Sequence, residues 1–385
     1  MKKFSKKWIA LLASAALCFS LAACTSGEEK KPSNDVASTP APSSEASAKD
    51  SGKEAPAAAI SKVGVSMPTK DIQRWTQDGE NMVKNLKAAG FEVDLQFANN
   101  DIAQQVTQIE NMLTGGCNAL VISAIDGSSL TTVLDKAKSA GVTVISYDRL
   151  IMNSNAVSYY ATFDLEKVGV QQGEYIVKKL DLEKQAGPFN IELFTGSPDD
   201  NNVVFFFGGA MKVLQPYIDN GKLVVKSGQT TREACATPNW STEEAQKRME
   251  NVISAFYNDG SQLDAVLCSN DSVAQGVANA LASNYKGNYP VVTGQDCEIA
   301  SVKNILAGKQ SMSVFKDTRS LAKQVSDMLI AIKDGKEVPI NDTQTYDNGT
   351  GIIPTYLLEP LSCDKDNYKE LLIDSGYYTE ADLAS

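Results

Sequence analysis

Short apolar runs alternate with amphipathic stretches along most of the chain, and this rhythm narrows the fold more than any other sequence feature. Lys62–Met67 reads as a short buried strand. Thr76–Gly90 follows with Met82, Val83, Leu86 and Ala89 at helical spacing and a glycine stop. Phe91–Phe97 is strand-like, and Asp101–Gly115 repeats the helical pattern through Ile102, Val106, Ile109, Met112 and Leu113. Ala119–Ile125 is a strand, Gly127–Ala140 a helix and Val142–Tyr147 the next strand. Strand, helix and strand in succession with short connections predict a parallel, doubly wound sheet.

The alternation then restarts. Helices are predicted over Glu166–Leu180, Val203–Asn220, Ser241–Tyr257, Ser272–Asn284, Glu298–Ala307 and Thr318–Asp334. Strands are predicted over Phe189–Phe194, Leu223–Lys226, Leu263–Cys268, Val291–Gly294 and Met312–Phe315. A second α/β sheet of similar size is therefore expected, with Tyr159–Asp164 as a candidate crossing between the two. The 385 residues are enough for two domains with real cores.

The N-terminus reads differently. Lys2, Lys3, Lys6 and Lys7 precede an apolar stretch from Trp8 to Ala23, too short for a spanning helix but suited to a secretory signal. Leu21-Ala22-Ala23-Cys24 resembles a lipobox, in which Cys24 is acylated and becomes the new N-terminus. Residues 1–23 are thus expected to be a lipoprotein signal peptide. Residues 24–60, rich in Ser, Ala, Pro, Lys and Glu, are expected to be a disordered, lipid-anchored tether.

Composition removes whole classes of function. The chain has no histidine, so it holds no Ser-His-Asp triad, no His base and no His metal ligand. A net charge of −11 argues against nucleic acid as a partner. There is no Walker A sequence, no G-x-G-x-x-G after the first strand and no C-x-x-C. Asp364-Lys-Asp366 has a hint of calcium-loop spacing but lacks the glycine and the terminal glutamate. No metal and no cofactor are expected. Behind the signal, Cys117, Cys235, Cys268, Cys297 and Cys363 remain, an odd number in which one disulfide or none is open.

Ligands of open α/β sheets sit beyond the carboxyl ends of the strands, and there the polar residues collect. Successive strand ends carry Arg74-Trp75, Asp148-Arg149, Asp199-Asp200-Asn201-Asn202, Ser269-Asn270-Asp271, Gln295-Asp296 and Lys316-Asp317. Asp101, Asp199 and Asp271 read as helix caps. The remainder exceeds what capping needs. Planar forks and carboxylates match a ring of vicinal hydroxyls, each both donor and acceptor. Trp75 and Trp240 lie outside predicted core elements, where an indole face can meet the C–H side of a pyranose. Phe206, in the run Phe205-Phe206-Phe207, reads as core. Asp148 and Asp296 form a carboxylate pair, but nothing marks either as the proton donor of a glycosidase, and no enzyme is expected.

These stretches, with Gln108-Ile-Glu-Asn-Met112 and Ser158-Tyr-Tyr-Ala-Thr-Phe-Asp164, resemble the periplasmic sugar-binding proteins of the type I, ribose/galactose-like class, nearest to its xylose-binding and multiple-sugar-binding members. The resemblance implies two doubly wound α/β lobes joined by a three-stranded hinge. It implies one lobe of residues 61–165 plus 298–338 and another of 166–297 plus 339–385. It places ligand contacts on Arg74, Asp148, Arg149, Asp200, Asn202, Asn270, Asp296 and Lys316, with Trp75 and Trp240 as the stacking pair. It further implies an extracytoplasmic, monomeric receptor without catalysis. That receptor would hand an aldopyranose such as xylose, arabinose, galactose or glucose to an ABC permease. The alternative is docking to a chemoreceptor or sensor kinase. Cys268 and Cys297 have no counterpart in that pattern.

Overall fold

The computed structural model describes residues 60–384. The expected signal peptide, the lipidation site Cys24 and all of the tether before Ile60 lie outside them.

The first lobe follows the predicted alternation. It runs β1 (Lys62–Met67), α1 (Gln73–Ala88), β2 (Glu92–Phe97), α2 (Ile102–Thr114), β3 (Ala119–Ile122), α3 (Thr131–Ser139), β4 (Thr143–Tyr147) and β5 (Val157–Phe163). All four residues of β3 are buried, as expected for a parallel strand covered on both faces. Gly90, just past α1, has φ +82, a left-handed conformation that glycine adopts without strain.

The chain then enters the second lobe. It runs α4 (Leu165–Lys179), β6 (Phe189–Phe194), α5 (Asn202–Asp219), β7 (Leu223–Val224), α6 (Thr242–Val252), β8 (Ala265–Cys268), α7 (Asp271–Asn284), β9 (Val291–Val292), α8 (Ile299–Leu306) and β10 (Met312–Phe315). It continues through α9 (Thr318–Lys333), β11 (Thr355–Leu358), β12 (Leu361–Asp364) and α10 (Glu380–Leu383). A π-helical turn, Ile253–Tyr257, extends α6, and another spans Lys369–Asp374. Helices α4 and α5 pack backbone to backbone: a Cβ on Gly169 would lie 1.9 Å from the Phe206 carbonyl oxygen. That close approach sets the depth of α5, which carries two residues of the site described below.

The first sheet is parallel throughout, in the order β11-β5-β4-β3-β1-β2. The second has the order β7-β6-β8-β9, also parallel. A bridge from Gln295 to Val314 brings β10 alongside, and β10 pairs antiparallel with β12. The chain thus passes between lobes at Phe163–Leu165, Phe315–Thr318 and Leu358–Leu361.

These crossings correct the lobe boundaries expected above. Residues 299–315 go with the second lobe rather than the first, because α8 packs on α7 and β10 joins the second sheet. Residues 339–385 are divided, because β11 pairs with β5 in the first sheet and only the part from β12 onward lies with the second. Helix α9 packs on α1, β5 and β11 in the first lobe. Tyr159–Asp164 is itself an interior strand of the first sheet whose end is the first crossing. Among the described residues, no helix is long and apolar enough to cross a membrane.

Candidate functional site

One cavity lies between the lobes, at the carboxyl ends of both sheets. It is lined by Arg74, Trp75, Asp148, Arg149, Asp200, Asn202, Trp240, Asn270, Asp296 and Lys316. Every ligand-contact residue inferred from sequence therefore faces the same space. Ile72, Phe206 and Gln295 complete the wall. Phe206 is buried as expected, yet it also lines the cavity.

Helix α1 begins three residues earlier than its apolar pattern indicates, so Arg74 and Trp75 sit in its first turn and not in a loop. One turn on, Asp78 is fully buried and accepts from Arg74 Nε at 3.0 Å. The other end of the guanidinium reaches both lobes, with Nη2 2.9 Å from Asp148 Oδ1 and Nη1 3.2 Å from Asp296 Oδ1. Burial alone would lower the Arg74 pKa, but Asp148, Asp78 and Asp296 outweigh it and raise it well above the usual value.

Asp148 ends β4 with φ 58, in the left-handed region. Its carbonyl accepts from Tyr160 Oη at 2.6 Å, Thr162 Oγ1 at 3.0 Å and Asn202 Nδ2 at 2.8 Å. Three donors on one carbonyl hold a conformation that costs about 1–3 kcal/mol at a non-glycine residue. Burial pushes the Asp148 carboxyl up, and Arg74, Lys316 and Arg149 pull it below the ordinary value, so it stays ionised. Asp296 is also left-handed, at φ 96, and is fastened by its N–H to the Val314 carbonyl at 2.8 Å. Lys316, on the second crossing, lies 3.1 Å from Asp296 Oδ1 and 3.5 Å from Asp148 Oδ1.

A second pair closes the other side. Arg149 Nε lies 2.9 Å from Asp200 Oδ2, and Trp240 Nε1 donates to that same oxygen at 3.2 Å. Burial raises the Asp200 pKa despite Arg149. Trp240 has φ 56, and its ring packs against Gly196, where a Cβ would come within 2.1 Å of it. Trp75 packs under the guanidinium groups of Arg74 and Arg149, 4.4 and 5.0 Å from its ring centroid.

Some expected roles shift. Asp101 does cap α2, through the Gln104 N–H. Asp199 caps nothing: α5 has no side-chain cap, and Asp200 accepts from the Asn202 N–H instead. The cap of α7 is Asn270, through the Val273 N–H, while Asp271 is its first helical residue. Asp271 is buried among Ser313, Gln310 and the Glu298 N–H. Asp78 carries no signal in the strand-end pattern, and Gln295, one of the polar strand-end residues, lines the cavity without having been assigned a contact. Asp78 was legible as the i+4 partner of Arg74 once the helix start is placed correctly.

Four buried polar side-chain atoms on the cavity wall make no hydrogen bond: Arg74 Nη2, Asp148 Oδ1, Trp75 Nε1 and Gln295 Oε1. The first two are close enough for an ion pair but misaligned for a directional bond. Trp75 Nε1 and Gln295 Oε1 are thus left as an unpaired donor and acceptor on the wall, beside an Arg74–Asp148 ion pair, which suits a small ligand that both accepts and donates. Among the described residues no group of three or more acidic or cysteine side chains is placed to hold a metal ion.

The family described as periplasmic binding protein domain matches residues 63–337. The chain belongs to that family. The periplasmic binding proteins of type I have the two-lobed α/β architecture seen here. Across 330 residues the chain is 53% identical to the multiple sugar-binding periplasmic receptor ChvE of Rhizobium radiobacter, covering 84% of this chain and 93% of that one. It is 37% identical to the D-xylose-binding periplasmic protein of Escherichia coli K12, over 84% of this chain and 92% of that protein. Among solved structures, an ABC transporter solute-binding protein of Clostridium phytofermentans with bound β-D-glucose is 65% identical. It aligns with a TM-score of 0.83 over 84% of this chain and all of that one.

Proposed function

We propose that this chain is the substrate-binding lipoprotein of an ABC sugar importer, closing two lobes around a single aldopyranose outside the cytoplasm. The observation that carries the reading is the set of cross-lobe ion pairs, Arg74 with Asp296 and Arg149 with Asp200, bordering a cavity in which Trp75 Nε1 and Gln295 Oε1 have no hydrogen-bond partner. The relatives named for multiple sugars, D-xylose and glucose-bound transport support the ligand class, and their periplasmic names support the location.

In this reading Arg74 and Arg149 donate to ring and hydroxyl oxygens, and Asp148, Asp200 and Asp296 accept from hydroxyls. Asn202, Asn270 and Lys316 supply further polar contacts, while Trp75 and Trp240 cover the C–H faces. Each charged hydrogen bond contributes about 1.5–3 kcal/mol. In the closed form the charged groups also neutralise one another across the cleft, which limits the cost of burying them. No bond in the ligand is made or broken. The acylated Cys24 would hold the domain at the membrane by a lipid, within reach of the permease.

Calorimetric titration with xylose, arabinose, galactose and glucose tests the ligand class. Binding of at least one, abolished in Asp296→Ala, is expected; no heat with any aldose would overturn it. Loss of labelled fatty acid in Cys24→Ala tests the anchor. The name receptor carried by the 53% relative favours a second reading, docking of the sugar-bound form to a chemoreceptor or sensor kinase. Co-purification with the permease or with a receptor separates the two.

A further inference from the structure

Sugar binding leaves one buried cluster unexplained. Cys297 directly follows the site residue Asp296, and Cys363 lies in β12, the strand just after the third crossing. Both side chains are completely buried. They belong to a small satellite core with Val302, Phe315, Leu372 and Tyr378, which fastens the C-terminal segment to the second lobe.

The two cysteines converge on one residue. Ser313 pairs with Cys363 across the β10–β12 ladder, and its hydroxyl accepts from the Cys297 N–H at 3.0 Å. The Cys297 thiol lies 3.9 Å from the carbonyl oxygen of Ser313, the residue directly opposite Cys363 in the ladder, and both cysteines pack in the same small core. Residues 66 positions apart in sequence thus bring two thiols together on a fixed scaffold. The remaining described cysteines are placed differently: Cys235 donates to the Gln229 carbonyl, and Cys117 sits beside Lys62 and Asp94.

We propose that Cys297 and Cys363 are a disulfide-forming pair, a covalent staple between the loop that carries Asp296 and the strand that begins the C-terminal segment. The oxidant is a disulfide, either glutathione disulfide or a thiol–disulfide oxidoreductase. One protein thiolate attacks it, giving a mixed disulfide and releasing the first thiol. The second protein thiolate displaces the other thiol and closes the bond. Overall two protein thiols lose two protons and two electrons, and one disulfide becomes two thiols. Burial and the neighbouring Cys363 hold the Cys297 thiol protonated, so exchange is slow in the folded chain and fast while the chain is folding or locally open.

The staple closes a long loop and removes freedom from the unfolded chain, so the bonded form should resist heat better. It also anchors the residue after Asp296, whose backbone is already in the left-handed region and whose carbonyl accepts from Tyr378 Oη at 2.9 Å.

The test is refolding of the full chain in a glutathione redox buffer, followed by alkylation, non-reducing digestion and mass mapping. A linked peptide pair containing Cys297 and Cys363 is expected, with Cys117, Cys235 and Cys268 alkylated only after denaturation. The unfolding midpoint of this form should rise by several degrees and fall back on treatment with dithiothreitol. Cys363→Ser in the same buffer should show neither link nor rise. Absence of the linked pair, linkage to another cysteine, or a rise that dithiothreitol does not reverse would overturn the proposal, and none of these outcomes depends on whether a sugar binds.

Discussion

Arg74 of the first lobe lies 3.2 Å from Asp296 of the second, and both are buried. A charge pair that spans the cleft couples lobe closure to the site itself: separating the lobes breaks it. Removing Arg74 leaves three buried carboxylates, Asp78, Asp148 and Asp296, with Lys316 offsetting only the last two, which costs about 3–5 kcal/mol. Arg74→Ala is therefore expected to lower sugar affinity at least a hundredfold in calorimetry. Arg74→Lys should also fail to restore it, because an ammonium cannot hold Asp78, Asp148 and Asp296 at once. Near-normal affinity in the lysine variant would show that the fork geometry is dispensable.

Lys316 faces two carboxylates, Asp148 and Asp296, that belong to different lobes. Lys316→Met keeps the side-chain length and removes the charge. The two carboxylates then repel across the cleft, and the variant should favour the open form. Small-angle scattering is expected to report a larger radius of gyration for this variant than for the parent without ligand. Equal radii would place the closing force elsewhere.

Gly196 is required by contact and not by backbone conformation, since its Cβ would collide with the Trp240 ring. Gly196→Ala should displace the indole and break its bond to Asp200. Overpacking of this kind costs about 1–3 kcal/mol. A weakened sugar affinity with a shifted tryptophan emission maximum is the expected result, and an unchanged spectrum would contradict it.

Glu298 is buried beside Asp296, and burial first and then that carboxylate push its pKa from the ordinary 4.5 to about 7, against hydrogen bonds from Gln275 and Ser272. The folded chain therefore keeps this proton over a range in which the unfolded chain has lost it. Its contribution to stability is intact below about pH 4.5 and declines as pH rises to about 7, a loss on the order of 3 kcal/mol. Asp78, raised to about 6, acts in the same direction. Glu298→Gln should flatten the fall in unfolding midpoint between pH 4.5 and 7.5. An identical slope in parent and variant would remove Glu298 from the pH response.

Strand and helix positions were legible because each is a local pattern. Lys62–Met67, Phe189–Phe194 and Met312–Phe315 coincide with β1, β6 and β10, since apolar runs bounded by polar turns are written in consecutive residues. Ten of the thirteen residues lining the cavity were legible for a related reason: all but Trp240 follow a strand end or open the helix after it, and strand ends of a parallel sheet converge. Beyond residue 334 the pattern fails. β11 and β12 are only partly buried and mix polar with apolar residues, so neither shows the continuous apolar run that marks the equally short β10, and their partners lie far away in sequence.

What the chain's own order decided is thus the alternation, the class of sheet and the chemistry offered at the strand ends. Which sheet β10 and β11 join, and so where the lobes divide, was decided by pairing with Gln295 and β5 over long separations. Tertiary structure alone also put Asp78 behind Arg74, the Asp148 carbonyl under three donors and Cys297 against Cys363. Those relations depend on the folded distance between side chains, which separation along the chain does not encode.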